Sequence, residues 1–114
     1  MTGYAIAHLR RAPLHDEVLQ YMERIQATLD PFGGRFAVHG GAVDVLEGDW
    51  PGDVVMIEFP DLTKARSWYG SSLYQEIKPL RTRHLVGELI LVGGVEPDHN
   101  SSQMAADLRQ ANGL

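Results

Sequence analysis

Four segments of this chain alternate apolar and polar residues as β-strands do, and two segments with helical spacing lie between them. The strand-like segments are residues 4–10, 35–39 resuming at 43–46 after Gly40-Gly41, 54–59 and 88–95. The helical segments are residues 13–29 and 61–79, the second with a break at 70–72. The order β-α-β-β-α-β predicts an α+β, ferredoxin-like fold. We expect a four-stranded antiparallel sheet of order 4-1-3-2, with both helical segments on one face.

Local signals support the two helical segments. In the first, Val18, Met22, Ile25 and Leu29 recur at spacings of four, three and four, which is typical of an apolar stripe facing a core. Asp61 precedes the second segment and is a good N-cap residue. We therefore expect both helices to pack an apolar side against the sheet.

The composition limits the kind of protein that this can be. The chain has 114 residues, and we assign residues 1–96 to one domain and residues 97–114 to a tail in which Met104 and Leu108 would share one side of a short helix. The formal charge is −5 and basic residues are scattered, so neither nucleic acid nor a membrane surface is an expected partner. The absence of cysteine excludes disulfides and thiolate nucleophiles. With no leader-like or membrane-spanning apolar segment, we expect a cytoplasmic protein.

The face of the predicted sheet that carries no helix, here called the open face, is expected to be partly apolar and partly charged. It would present Tyr4, Ile6, His8, Arg10, Val54, Met56, Glu58, Glu88, Ile90 and Val92, with Arg35, Ala37 and His39 at one edge. A contiguous apolar patch of this kind usually marks an interaction surface. An isologous homodimer, packed open face to open face, would bury the patch and leave polar side chains lining a cleft.

Several motifs of the chain resemble, in order and spacing, those of a bacterial family. They are residues 33–41 (GGRFAVHGG), residues 45–50 (VLEGDW), residues 57–60 (IEFP), and Ala65 with Trp68-Tyr69. The family is known as domain of unknown function thirteen-thirty and belongs to the dimeric α+β-barrel group. The resemblance covers residues 4–95 and implies a ferredoxin-like protomer and a face-to-face dimer, but no activity. His39 stands where most members are expected to carry Arg, and the tail is longer than usual.

His8 and Glu58 are the candidate catalytic residues. They belong to adjacent strands of the predicted sheet and point to its open face, where a partly buried carboxylate beside an imidazole can transfer protons. Glu58 would act as general acid or base, His8 as its partner, and His39 or Arg35 as an anion-stabilising group. The alternative is a structural hydrogen bond inside a dimer interface.

Three further residues are candidates for ligand binding. Trp50 and Tyr69 could line the mouth of a cleft, and Arg81 could hold the carboxylate of a ligand. In the alternative interpretation the rings only pin a loop and a helix, and Arg81 forms a surface ion pair. The five histidines show no metal-ligand spacing, so we expect neither a metal site nor a cofactor.

Together these observations favour a homodimeric small-molecule-binding protein whose cleft lies on the open face. As an enzyme, it would act without a cofactor on a small organic acid or ring compound, by proton transfer or oxygenation. That hypothesis rests on analogy with other dimeric α+β barrels. The alternative is a non-catalytic dimeric module that binds a ligand or a protein partner.

Overall fold

The sheet has the predicted topology. The computed structural model describes all residues, 1–114. The strands are β1 (Gly3–Arg10), β2 (Arg35–His39), β3 (Gly52–Phe59) and β4 (Gly87–Gly93), all antiparallel in the order β2-β3-β1-β4. The helices are α1 (Asp16–Leu29), followed by a 3₁₀ turn at Asp30–Phe32, α2 (Leu62–Gly70), α3 (Ser72–Thr82) and α4 (Ser101–Asn112). The fold is α+β and ferredoxin-like, which confirms the prediction.

The first three helices each begin at a capping side chain. Asp61 Oδ1 accepts a hydrogen bond from the Lys64 backbone N–H at 2.7 Å, as the sequence predicts for α2. His15 Nδ1 caps α1 by accepting from the Glu17 backbone N–H at 3.0 Å. Ser71 separates α2 from α3, because its backbone is extended and its hydroxyl caps the second of the two helices. Local sequence therefore determines where all three helices start.

The core lies between these helices and one face of the sheet, here called the covered face. Its largest fully buried side chains are Trp68, Tyr74, Leu29 and Ile77. The indole Nε1 of Trp68 donates a hydrogen bond to Thr28 Oγ1 at 3.0 Å, so its polar atom is satisfied without solvent. The covered face therefore has a well-packed inner part under α2 and α3.

The buried stripe of α1 differs from the prediction at one position. Val18, Ile25 and Leu29 are buried as expected, but Met22 is 47% exposed and Tyr21 is buried instead. Residues 18, 21 and 25 also recur at helical spacing, so the helix is rotated slightly toward that alternative stripe. The rotation brings a phenol hydroxyl into the space between helix and sheet.

A bulge in β2 reverses the sides of its last residues. The pairing of Phe36 and Val38 with β3 is out of step by one residue, so Ala37 is the bulged residue. Because strand side chains alternate with a period of two, Val38 joins the open face and His39 joins the covered face. We predicted the opposite for both, since the alternation was taken to run unbroken through Ala37. The expected strand at residues 43–46 is also absent, because residues 40–51 form a loop.

Helix α4 stands apart from the rest of the chain. Asn100 caps it by accepting from the backbone N–H groups of Ser102 and Gln103. Every residue of α4 is exposed, including Met104 and Leu108. The helix therefore packs against no other element of its own chain.

None of the helices has the length and apolar character that crossing a membrane requires.

Candidate functional site

A cavity of about 370 Å³ lies between the covered face and helices α1 and α3. Most of its wall is apolar, and the residues that define it are Ala5, Ala7, Val55, Ile57 and Leu89 from the sheet and Val18, Tyr21, Ile25 and Trp68 from the helices. The two alanines of β1 present only methyl groups to the helix layer, which leaves room for the cavity. We predicted a cleft on the open face of a dimer, whereas this cavity lies within one protomer, on the covered face.

The cavity opens at the end of the sheet where β1 ends and β3 begins. Arg10, Arg11 and Asp53 line this mouth, together with the exposed Leu14. His39 also lines it, because the β2 bulge turns this residue to the covered face, where its ring stacks on Phe36 with centroids 4.2 Å apart. The mouth therefore carries polar groups while the interior is apolar.

Arg81 is the one cation in the interior wall of the cavity. It is only 7% exposed, and its Nη2 donates a long hydrogen bond of 3.4 Å to the Tyr74 hydroxyl. Its guanidinium carbon lies 5.7 Å from the centroid of the Tyr21 ring. Its Nε is buried and has no hydrogen-bond partner. None of the ion pairs of the protein involves Arg81, so the predicted alternative of a surface ion pair does not hold.

Two buried tyrosines complete this polar group. The hydroxyls of Tyr21 and Tyr74 lie 2.9 Å apart and share a hydrogen bond. Burial, together with the adjacent Tyr74, raises the pKa of Tyr21, so its phenol is neutral at physiological pH. Burial acts to lower the pKa of Arg81, but the two hydroxyls outweigh it and its pKa lies above the usual value. The cluster of Arg81, Tyr21 and Tyr74 is therefore cationic.

The sequence singled out Arg81 but missed Tyr21 as a site residue. The signal for Tyr21 was its spacing of three from Val18 and four from Ile25, which competes with the stripe through Met22. The stripe that contains Tyr21 is less apolar than the stripe that contains Met22, because tyrosine carries a hydroxyl. Helical periodicity alone therefore does not favour Tyr21 as the buried residue.

His8 lies on the open face, away from the cavity. Its ring stacks on Trp50 with centroids 4.1 Å apart, and its Nδ1 lies 3.8 Å from Glu88. Its Nε2 is buried without a hydrogen-bond partner. Arg10 donates a hydrogen bond to the same Glu88 carboxylate, and this bond lowers the pKa of Glu88. Trp50 thus covers a histidine of the open face and does not line the mouth of the cavity.

The structure does not bring His8 and Glu58 together. Glu58 pairs with Tyr4 across the β1–β3 ladder, four residues from His8, which corresponds to a separation of roughly 13 Å at about 3.3 Å per residue. The partner of Glu58 is Arg35, whose Nη2 lies 2.8 Å away. The expected proton-transfer pair is therefore corrected: the alternation of β1 and β3 gives the correct face, but the register separates the two side chains.

Tyr69 lies on α2 outside the cavity wall. It is half-buried, its ring centroid lies 5.4 Å from that of Tyr74, and Lys78 Nζ lies 5.4 Å from its centroid. Its ring also lies edge-on to Trp68, with centroids 6.2 Å apart, so it contacts the cavity wall through Trp68.

One group of side chains has the composition of a metal site. The ligand atoms of His15, Glu17 and His84 all lie within 4.8 Å of one another. Their present interactions are those of a helix cap, since His84 Nε2 lies 2.7 Å from Glu17 and the two imidazoles are stacked with centroids 3.6 Å apart. The His84 hydrogen bond, with Arg83 nearby, lowers the pKa of Glu17. Because His15 Nδ1 already accepts the hydrogen bond from the Glu17 backbone N–H that caps α1, a metal ion bound at that atom would break the cap.

Comparison with solved structures supports the fold. A protein of unknown function from Rhodopseudomonas palustris is similar with a TM-score of 0.64 at 17% identity, and 84% of each chain is covered. The cofactor-independent oxygenase SnoaB from Streptomyces nogalater has a TM-score of 0.50 at 17% identity, over 87% of this chain and 96% of that chain. An uncharacterized NIPSNAP domain protein from Burkholderia xenovorans has a TM-score of 0.52 at 10% identity, over 88% and 100%. At these identities the likeness concerns the fold alone.

Comparison with curated proteins gives no match. The family model that describes the domain of unknown function DUF1330 matches residues 2–95. This span contains all four strands and helices α1 to α3, and with them the whole wall of the cavity. The chain therefore belongs to the DUF1330 family.

Proposed function

We propose that this protein binds a small, partly apolar organic compound, a ring or a short organic acid, in the cavity on its covered face. The observation that carries the proposal is the cavity itself, whose volume of about 370 Å³ lies within the range of small-molecule sites, roughly 300–1,000 Å³. An apolar wall with a few converging polar groups is also typical of such sites. The apolar interior would bury the body of the compound.

A cofactor-independent enzyme is the second candidate function. The hydroxyl of Tyr21, which shares a hydrogen bond with Tyr74, favours it, because Tyr21 lines the cavity and can donate or accept a proton next to the space for the ligand. One protein with this fold is described as a cofactor-independent oxygenase. For this candidate, proton transfer or oxygenation would take place in the cavity, and His8 and Glu58 would have no part in it.

We also propose that two copies form a homodimer through their open faces. The bulge at Ala37 adds Val38 to the apolar side chains of that face, and Ile90 and Val92 are exposed on it. Association would cover this patch, and His8 and Glu58 would then lie within the interface. A non-catalytic binding module with this dimer remains the alternative to an enzyme.

Binding of a neutral compound tests the cavity. Indole, followed by NMR chemical-shift changes, is expected to perturb residues of the cavity wall. Ala7→Leu fills part of the cavity floor and should reduce the indole affinity by about tenfold or more, since overpacked sites lose their ligand. The control is Ile6→Leu, the neighbouring position on the open face, which should bind indole as the wild type does. Equal binding by both variants would refute the cavity as the site.

A further inference from the structure

Arg81 is a buried cation without an anionic partner. All the carboxylates that form ion pairs are bound to other cations: Glu58 to Arg35, Glu88 to Arg10 and His8, Glu76 to Arg24, and Glu17 to Arg83 and His84. The groups that contact Arg81 are the hydroxyl of Tyr74 and the ring of Tyr21. The positive charge therefore has no counter-charge from the protein.

Such a charge is unfavourable in a folded protein. Moving a guanidinium out of water has a large desolvation cost, which a nearby carboxylate or phosphate normally offsets. Arg81 also leaves its Nε without an acceptor. Because Arg81 forms part of the cavity wall, a ligand in the cavity can offer a hydrogen-bond acceptor to its guanidinium.

We propose that Arg81, with the hydroxyl of Tyr21, forms an anion site that holds the carboxylate of a small acid whose apolar body lies in the cavity, and that Tyr74 supports both side chains from behind the wall. This inference rests on the proposed function and narrows its ligand to an acid. A planar guanidinium matches the two oxygens of a carboxylate, and a phenol hydroxyl can donate to the same group. The apolar wall beside it, with Ile25 and Trp68, suits a ring or an aliphatic chain.

The charged side chains at the mouth of the cavity do not neutralise Arg81. Arg10 and Arg11 line the mouth, and Arg11 takes part in no ion pair. Asp53 is the one carboxylate in the cavity wall, and it lies at the mouth, not beside Arg81 in an ion pair. Because Arg10 is paired with Glu88, Arg11 and Asp53 are the charges at the mouth without an ion pair, and Arg81 is the uncompensated charge of the cavity wall.

Calorimetric titration with benzoate and with benzamide at neutral pH tests the anion site. The two probes have nearly the same shape and differ in charge. Wild type is expected to bind benzoate at least about tenfold more tightly than benzamide. Arg81→Met should reduce the ratio of benzoate affinity to benzamide affinity to about one. Arg81→Lys keeps the positive charge but lacks the planar guanidinium with its paired N–H donors, so it should give an intermediate ratio.

A matched control and a stability measurement separate binding from a structural role. Arg83→Met removes an exposed arginine two residues away that is paired with Glu17, and it should leave the ratio unchanged. Arg81→Met removes a desolvated charge together with its contacts to Tyr74 and Tyr21, so the melting temperature should change little. A structural ion pair would instead give a clear loss of stability.

The outcomes distinguish the two proposals. Equal binding of benzoate and benzamide in wild type, or a ratio that survives Arg81→Met, would overturn the anion site while the cavity still stands. If none of benzoate, benzamide and indole bound, both the anion site and the proposed binding of small molecules in the cavity would be overturned. A charge-dependent ratio that Arg81→Met abolishes, with Arg83→Met unchanged, is the result expected from the anion site.

Discussion

The two faces of the sheet treat charged side chains in opposite ways. On the open face, Arg35 is paired with Glu58 and Arg10 with Glu88, and these side chains are partly or largely exposed. On the covered face, Arg81 is almost fully buried and has only phenols beside it. The arginines of the open face therefore have carboxylate partners, whereas the arginine of the covered face has none and lies beside a cavity.

This contrast indicates where a ligand would bind. Exposed ion pairs contribute little free energy and need no function to explain them, because water already stabilises both charges. A buried charge without a partner is destabilising, and such groups concentrate at functional sites. The comparison therefore directs attention to the covered face, whereas the sequence had directed it to His8 and Glu58 on the open face.

The two tryptophans of the chain give the largest expected difference between the faces. Trp68 is fully buried under the covered face, and Trp50 is 41% exposed against His8. Trp68→Ala should lower the free energy of unfolding by about 3–5 kcal/mol. Trp50→Ala should lower it by less than about 1 kcal/mol. Urea unfolding followed by circular dichroism measures the free energy of unfolding of both variants. Equal losses in the two variants would contradict the contrast between the two faces.

A charge on the open face tests the proposed dimer. Ile90→Glu would bury a carboxylate in the interface and should weaken association by roughly 3 kcal/mol, about 150-fold in Kd. Sedimentation velocity should then show the monomer mass of 12.6 kDa. Leu73→Glu is the control, because Leu73 is also exposed but lies on α3. If both variants sediment as wild type does, the open face is not the interface.

The stability of the protein at alkaline pH tests how deeply Tyr21 is buried on the covered face. Burial raises the folded-state pKa of Tyr21, whereas an unfolded tyrosine titrates near about 10. The folded state therefore keeps a proton that the unfolded state loses. This contribution to stability is complete below about pH 10 and is lost as the pH rises further.

Tyr21→Phe removes that titration. Above about pH 10, wild type should lose up to about 1.4 kcal/mol more per pH unit than Tyr21→Phe does. Urea unfolding of both proteins across this range gives the two slopes. Parallel slopes would mean that Tyr21 is not buried as described.

The smallest effect is expected at Glu58. Glu58→Gln breaks its ion pair with Arg35, whose side chain is 79% exposed, so the loss of stability should be below about 1 kcal/mol. Binding of benzoate or indole should not change, because Glu58 does not line the cavity. Glu88→Gln provides a second open-face carboxylate for comparison. If Glu58→Gln lost most of its ligand binding and Glu88→Gln did not, the ligand site would have to be placed on the open face.

The fold could be predicted because its signals are local. The alternation of β3, the cap at Asp61 and the glycines at residues 33–34 each act within a few residues of chain, and together they specify the element order. The family resemblance agreed with that order. The faces of β1 and β3 also follow from alternation alone.

The site was less predictable because it depends on tertiary geometry. Alternation assigns His8 and Glu58 to a face but does not fix the register between strands, which separates them. Ala5 and Ala7 indicated space above the sheet, but whether a helix or a cavity fills that space depends on how α1 and α3 pack. The lack of a partner for Arg81 is likewise a property of the folded surroundings, not of its sequence neighbours.

The bulge at Ala37 has a consequence for comparing this chain with its relatives. If the same residues paired regularly, with Ala37 opposite Met56, the side chain of His39 would turn from the cavity mouth to the open face. Two homologues could thus carry the same residue in the same alignment column and present it to different surroundings. Within this family, substitutions at the end of β2 are therefore comparable only between members that share the bulge, whereas loss of residue 37 alone would leave the residues after it on the same faces.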